Sequence, residues 1–166
     1  MDMRIVHWRG AVLSGIVAGI IATIAQIALW WAASEPLPGI LFRDARLTAA
    51  IVMGREVLPH PATFAWSIMW VATLVHFALS VVYGLMLALV ISRLNTALAL
   101  LAGAAFGLFL YAINMYGFTA IFPWFEATRD GITAAAHVVF GVVAAAVYKS
   151  CQVRSLPWAK STATWS

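Results

Sequence analysis

The chain has 166 residues, 64% of them hydrophobic and 10% charged, with a mean hydropathy of +0.94. That mixture leaves too little polar surface to cover a water-soluble core, so it excludes a soluble globular domain and makes lipid the solvent for much of the side-chain surface. A net charge of +4 does not signal nucleic acid here, because the basic residues stand singly at the ends of apolar runs, where membrane topology uses them.

The chain starts with a short basic stretch carrying Arg4, His7 and Arg9, followed by an apolar run over residues 11–33. At 23 residues the run exceeds the ~7–15 of a secretory signal's apolar region, so it reads as an uncleaved first transmembrane helix. Residues 34–63 connect it to the next run, bounded by Pro36 and Pro38 on one side and Pro59 and Pro61 on the other. Within this connection apolar residues alternate with Arg43, Asp44, Arg46, Arg55 and Glu56. Two readings are open: an amphipathic helix on the membrane surface or over the bundle mouth, and an ordinary polar loop. Three further runs qualify against the ~20 residues a helix needs to cross a bilayer: residues 64–92, 97–118 and, though short, 132–148. The segment Asn114-Met-Tyr-Gly-Phe-Thr reads as the end of the third helix, the other possibility being a break that bends chain inward. A tail over 149–166 comes last; its lone Cys151 permits no intrachain disulfide.

The expected fold is an all-α integral membrane protein, a single domain built as a four-transmembrane-helix bundle with an amphipathic connection between helices 1 and 2. Arg4, Arg9, Arg93, Lys149, Arg154 and Lys160 share one side with the single acid Asp2. The other side carries Arg43, Arg46, Arg55 and Arg129 against Glu35, Asp44, Glu56, Glu126 and Asp130. The positive-inside rule then predicts cytoplasmic N- and C-termini, with Trp30, Trp31, Trp66, Trp70 and Trp124 forming an outer aromatic belt.

The halves of the chain also resemble each other. Gly15, Gly19 and Gln26 correspond to Gly103, Gly107 and Asn114, each pair 88 positions apart, and His76-Phe-Ala-Leu-Ser80-Val-Val corresponds to His137-Val-Val-Phe-Gly141-Val-Val. This pattern predicts two tandem helix hairpins related by a pseudo-two-fold axis along the membrane normal. Gly15, Gly19, Gly103 and Gly107 supply the small-residue faces through which helices approach closely.

Polar residues inside the spans carry the candidate chemistry. His76 lines up with Thr73, Ser80 and Tyr83 at helical spacing, and His137 with Thr133, Gly141 and Tyr148. With Gln26 and Asn114 they predict an outward-facing polar pocket, rimmed by Glu35, Glu126, Arg129 and Asp130. Three uses stay open: binding or passing a small solute, ion or proton; a b-type haem held between His76 and His137; and interhelical hydrogen bonding alone, as in an accessory subunit. No C-x-x-C, H-x-x-x-H, H-E-x-x-H or G-x-S-x-G occurs, and His7 and His60 are isolated, so neither a bound metal nor an enzyme is expected. Beyond the lipid bilayer, the expected partners are further copies of the chain or a larger membrane complex, because four short helices enclose little volume.

Trp31-Ala-Ala-Ser-Glu35-Pro-Leu-Pro38, the His76 helix, and Phe122-Pro-Trp-Phe-Glu126 followed by His137 resemble the YagU-like bacterial inner-membrane proteins. The resemblance covers most of the span region, although the first external loop here is shorter than in that family. It implies a bacterial cytoplasmic membrane and a shared site at Glu35, Glu126, His76 and His137, without implying a reaction.

Overall fold

The computed structural model describes residues 6–59 and 61–154, Arg154 by its backbone only. Asp2, Arg4, His60, Lys160 and the rest of the tail, together with the topology expectations resting on them, lie outside the described residues. Five α-helices make up the framework: α1 (Trp8–Ala32), α2 (Gly39–Met53), α3 (Trp66–Ile91), α4 (Thr96–Ala112) and α5 (Gly131–Arg154). The described residues contain no β-strand.

Side chains satisfy several of the free amides at the helix starts. His7 Nδ1 accepts from Gly10 N at 2.9 Å, Asn95 Oδ1 from Leu98 N at 2.9 Å, and Asp130 Oδ1 from Thr133 N at 2.7 Å. The stretches Trp8–Ala32, Trp66–Ile91, Thr96–Ala120 and Gly131–Val153 are long and apolar enough to cross a membrane, which makes this a multi-pass membrane protein. Leucines such as Leu74, Leu89 and Leu101 project outward, a surface suited to lipid tails rather than water.

Helix α5 packs against both α1 and α4, while α1 also packs on α3. The repeat predicted from the sequence appears in these seams. A Cβ on Gly15 would collide with the Ser80 carbonyl, and one on Gly103 with the Gly141 carbonyl, the corresponding pair. Gly19 faces His76 and Ser80 just as Gly107 faces the His137 backbone. The glycines therefore allow near-backbone contact between the two helices of each hairpin.

One end of the bundle gathers the start of α1, the α3–α4 turn and the end of α5. His7 N donates to Tyr148 Oη at 3.4 Å, and Gln152 Nε2 donates to the Ser92 carbonyl at 3.0 Å. Between this end and the middle lies a dry cluster that includes Leu87, Ile91, Ala99, Ala144, Ala145 and Tyr148. Tyr148 thus does not join the line of polar residues around His137.

Two boundaries differ from the sequence reading. The fourth span does not stop at residue 148: Lys149 is buried within α5, its Nζ donating to Gln152 Oε1 at 2.7 Å and to the Ile91 carbonyl at 3.4 Å. A lysine whose ammonium finds such acceptors extends a helix instead of ending it. The third span does not simply end either; α4 passes into a π-helical turn over Ile113–Gly117 and then a 3-10 turn over Phe118–Ala120. Of the two readings of the 34–63 connection, the helical one holds: α2 packs on α3 through Ala45, Ala49, Ile68 and Ala72. The aromatic belt also shrinks. Trp31, Trp66 and Trp70 are exposed, but Trp30 is buried, and Trp124 turns inward to donate from Nε1 to the Leu47 carbonyl at 2.9 Å.

Candidate functional site

At the end of the bundle opposite the termini, the helices part around a cavity of about 400 Å³. Its walls come from α1, α3, the π-helical turn and α5, and α2 covers it. Four of the six binding residues expected from sequence lie on this wall: Gln26, His76, Asn114 and His137. Glu35 and Glu126 do not. Glu35 is exposed, and Glu126 is exposed in an ion pair with Arg129 at 2.8 Å. Both carboxylates belong to segments that turn outside the bundle, so they stay in the aqueous layer where ionised groups cost least.

The π-helical turn places Asn114. A π turn widens the helix by one residue and leaves carbonyls without their usual partners. Here Arg129 occupies that position. Its Nε donates to the Met115 carbonyl at 2.7 Å, its guanidinium reaches Thr119 Oγ1 at 2.9 Å, and it lies over the Tyr116 ring at 4.7 Å. Arg129 is therefore a strut behind the cavity wall, not part of the rim.

Asn114 sits in the middle of a directional chain of hydrogen bonds. Tyr83 Oη donates to Asn114 Oδ1 at 2.9 Å, and His137 Nδ1 lies 2.8 Å from the Thr133 carbonyl. A carbonyl only accepts, so Nδ1 carries the proton and Nε2 is left as an acceptor. Asn114 Nδ2 lies 3.3 Å from that Nε2 and donates to it. Both nitrogens of His137 are thereby engaged.

His76 differs. Its Nε2 lies 3.4 Å from both the Gly19 carbonyl and Thr23 Oγ1, and the Thr23 hydroxyl itself donates to the Gly19 carbonyl at 2.9 Å. Nε2 is then the protonated nitrogen, and Nδ1 makes no hydrogen bond among the described residues. Gln26, also on the wall, likewise makes none among them. The two histidines match in the repeat but not in chemistry. As an axial pair for a haem they fit poorly: one Nε2 lone pair is taken by Asn114, and the other Nε2 faces acceptors. Among the described residues no group of three or more His, Cys, Asp or Glu is placed to hold a metal ion.

Three wall residues have no role in the site expected from sequence, or only a minor one. Tyr83 and Thr133 appear in the helical line-up as neighbours of the histidines. Asp44 belongs, by sequence, to the charge pattern of the connecting segment. Yet Asp44, Leu47, Thr48 and Ile51, at one-face helical spacing, all line the cavity, so the signal is present in the spacing. Burial raises the Asp44 carboxyl above its ordinary value of 3.8, against the lowering effect of Arg43, and nearby Asp130 adds to the rise. Thr133 is buried, and its Oγ1 has no hydrogen-bond partner among the described residues.

Helix α2 is anchored as a cover. Besides the bond from Trp124 to Leu47, Arg55 lies 5.6 Å from the centre of the Trp124 ring. Arg46 donates to the carbonyls of Val57 at 2.8 Å and Thr63 at 2.9 Å, tying the helix to the segment after it.

No family model matches this chain, and no curated protein or solved structure matches it either.

Proposed function

We propose that the protein binds a small, mostly apolar solute with a polar end in this cavity, on the outer side of a bacterial cytoplasmic membrane, with both termini inside. The observation that carries the reading is the cavity itself, with mostly apolar walls and polar groups from both repeats converging on it. Pockets of this size and lining suit small organic molecules, oriented by a few polar contacts. Binding is favoured over passage. Beneath Tyr83 and Phe140 the bundle closes in the dry cluster of Leu87, Ile91, Ala144 and Ala145, which offers an ion or a proton no polar path. The orientation rests on the positive-inside rule, applied to Arg9 and Arg93 at the terminal end of the bundle.

Native mass spectrometry after gentle extraction tests this reading. The expected spectrum is the chain, alone or as a homo-oligomer, with a retained small-molecule mass. Ala136→Phe and Ala22→Phe, which fill the cavity from α5 and α1, should each remove that mass. A haem-sized increment would overturn the reading. So would a stoichiometric larger subunit that stays bound while both filling variants change nothing, the result expected of an accessory subunit.

A further inference from the structure

The polar groups on the cavity wall select a ligand class within the small-solute binding proposed for this site, and the selection depends on that binding. Asp44 is the one carboxylate among the described residues lining the cavity, and no Lys or Arg among them lines it. Arg43 contacts only one of its oxygens, with Nε at 2.9 Å and the second guanidinium nitrogen at 2.8 Å, both to Oδ1. Oδ2 makes no hydrogen bond among the described residues. Thr133 presents a second unused acceptor; its residue is 5% exposed and its Oγ1 has no partner. His76 Nδ1, which carries no proton when Nε2 donates to Gly19, is a third. The rest of the lining includes Phe118, Phe122, Phe125 and Phe140, whose ring faces attract cations.

We infer that the ligand is an organic ammonium: a compact apolar body, carried by the aromatic wall, with a protonated amine directed at Asp44 Oδ2 and Thr133 Oγ1. A neutral hydrogen-bond acceptor such as a carbonyl would leave the carboxylate oxygen unmet, and an organic anion would be repelled by it. An ammonium supplies the donors and the positive charge that a half-used, partly buried carboxylate lacks. Asp130, close enough to Asp44 to interact electrostatically, adds a second negative charge near this end, an effect smaller than that of Arg43.

The test uses the full chain in lipid nanodiscs and two probes of nearly equal shape, benzylammonium and ethylbenzene, with binding followed by ligand-observed NMR. Asp44→Asn should weaken benzylammonium about tenfold or more, the scale of a charge-assisted hydrogen bond, and leave ethylbenzene unchanged. Thr133→Val, which breaks no hydrogen bond within the protein, should weaken benzylammonium about threefold and spare ethylbenzene. If Asp44→Asn does not fold, Thr133→Val decides, and an unchanged benzylammonium affinity overturns the inference. If both probes bind and both are lost in Ala136→Phe, yet neither responds to Asp44→Asn, the ammonium inference fails while the cavity reading stands. If neither probe binds the parent protein, both fail.

Discussion

Gly107→Ala is the sharpest test of how the fold positions the site. A Cβ at this position would land on the His137 carbonyl oxygen, with the carbonyl carbon and the Val138 Cα both at 2.8 Å, well inside ordinary contact at 3.4 Å. All three atoms are backbone, so no side chain can swing aside and α4 must move off α5. A radial gap of about 0.5–1 Å already forfeits a quarter to a half of each dispersion contact, and overpacking of this kind costs ~1–3 kcal/mol. Alanine regains about 1 kcal/mol in helix propensity, which leaves a net loss of up to ~2 kcal/mol. Gly131→Ala is the control, since nothing lies within 4 Å of its Cβ. Unfolding free energies from SDS titration in mixed micelles should separate the two variants. Gly103→Ala meets the same seam at Gly141, so the double variant should lose less than the sum, because helices already parted accommodate both methyls. A Gly107→Ala protein as stable as the Gly131→Ala control would refute the near-backbone seam and the placement of His137 that depends on it.

Three other outcomes are expected at the site. Thr133→Val removes a buried hydroxyl without a partner and should stabilise the ligand-free protein by ~1 kcal/mol in the same assay; a loss of stability would mean that the hydroxyl is held by something in the cavity. Tyr83→Phe should cost ~1 kcal/mol by leaving Asn114 Oδ1 unpaired, and adding Asn114→Leu to it should cost less than the two changes made separately, since they share one network; strict additivity would break the proposed chain. For Asp44 the folded carboxyl titrates above its ordinary 3.8, so its contribution to stability is fully present below that pH and is lost as pH rises through the folded value. Arg43 and Asp130 are the charged groups acting on it. The melting temperature of Asp44→Asn relative to the parent should therefore climb across this window and level off above it; a difference that is flat with pH would place Asp44 in water.

What the sequence makes legible depends on how directly each feature obeys local pattern. Four runs near twenty apolar residues have no alternative in lipid, so the spans are readable to within a few positions. The glycines at 15, 19, 103 and 107 are readable because an internal repeat exposes spacing that one helix alone would hide. Lys149 misleads, since a lysine at the end of an apolar run usually marks the interface, whereas here Gln152 and the Ile91 carbonyl receive it. Glu35 and Glu126 mislead for a related reason. They come after corresponding spans and resemble a matched pair, but spacing along the chain does not say whether a turn points into the bundle or away from it. Asp44 is easily passed over because charge in a connecting segment is normally solvated; only the register of Asp44 with Leu47 and Ile51 distinguishes it.

The cavity lies where the repeat stops being symmetric. The seams match glycine for glycine, and that half of the structure serves packing. Tyr83 has Ala144 as its counterpart in the second hairpin, Gln26 is answered by Asn114, and among the described residues the second hairpin has no equivalent of α2. Ala144 lies in the dry cluster, and Tyr83 of the first hairpin packs against that cluster. At the other end the π-helical turn carries Asn114 to Tyr83, and α2 brings Asp44 over the opening. A structure whose histidines served only to hold the helices together would have no use for these differences, since the same hydrogen bonds made twice would do. Each departure from symmetry instead adds a polar group or a wall to one cavity. That concentration ties the binding reading to residues that the glycine seams do not require.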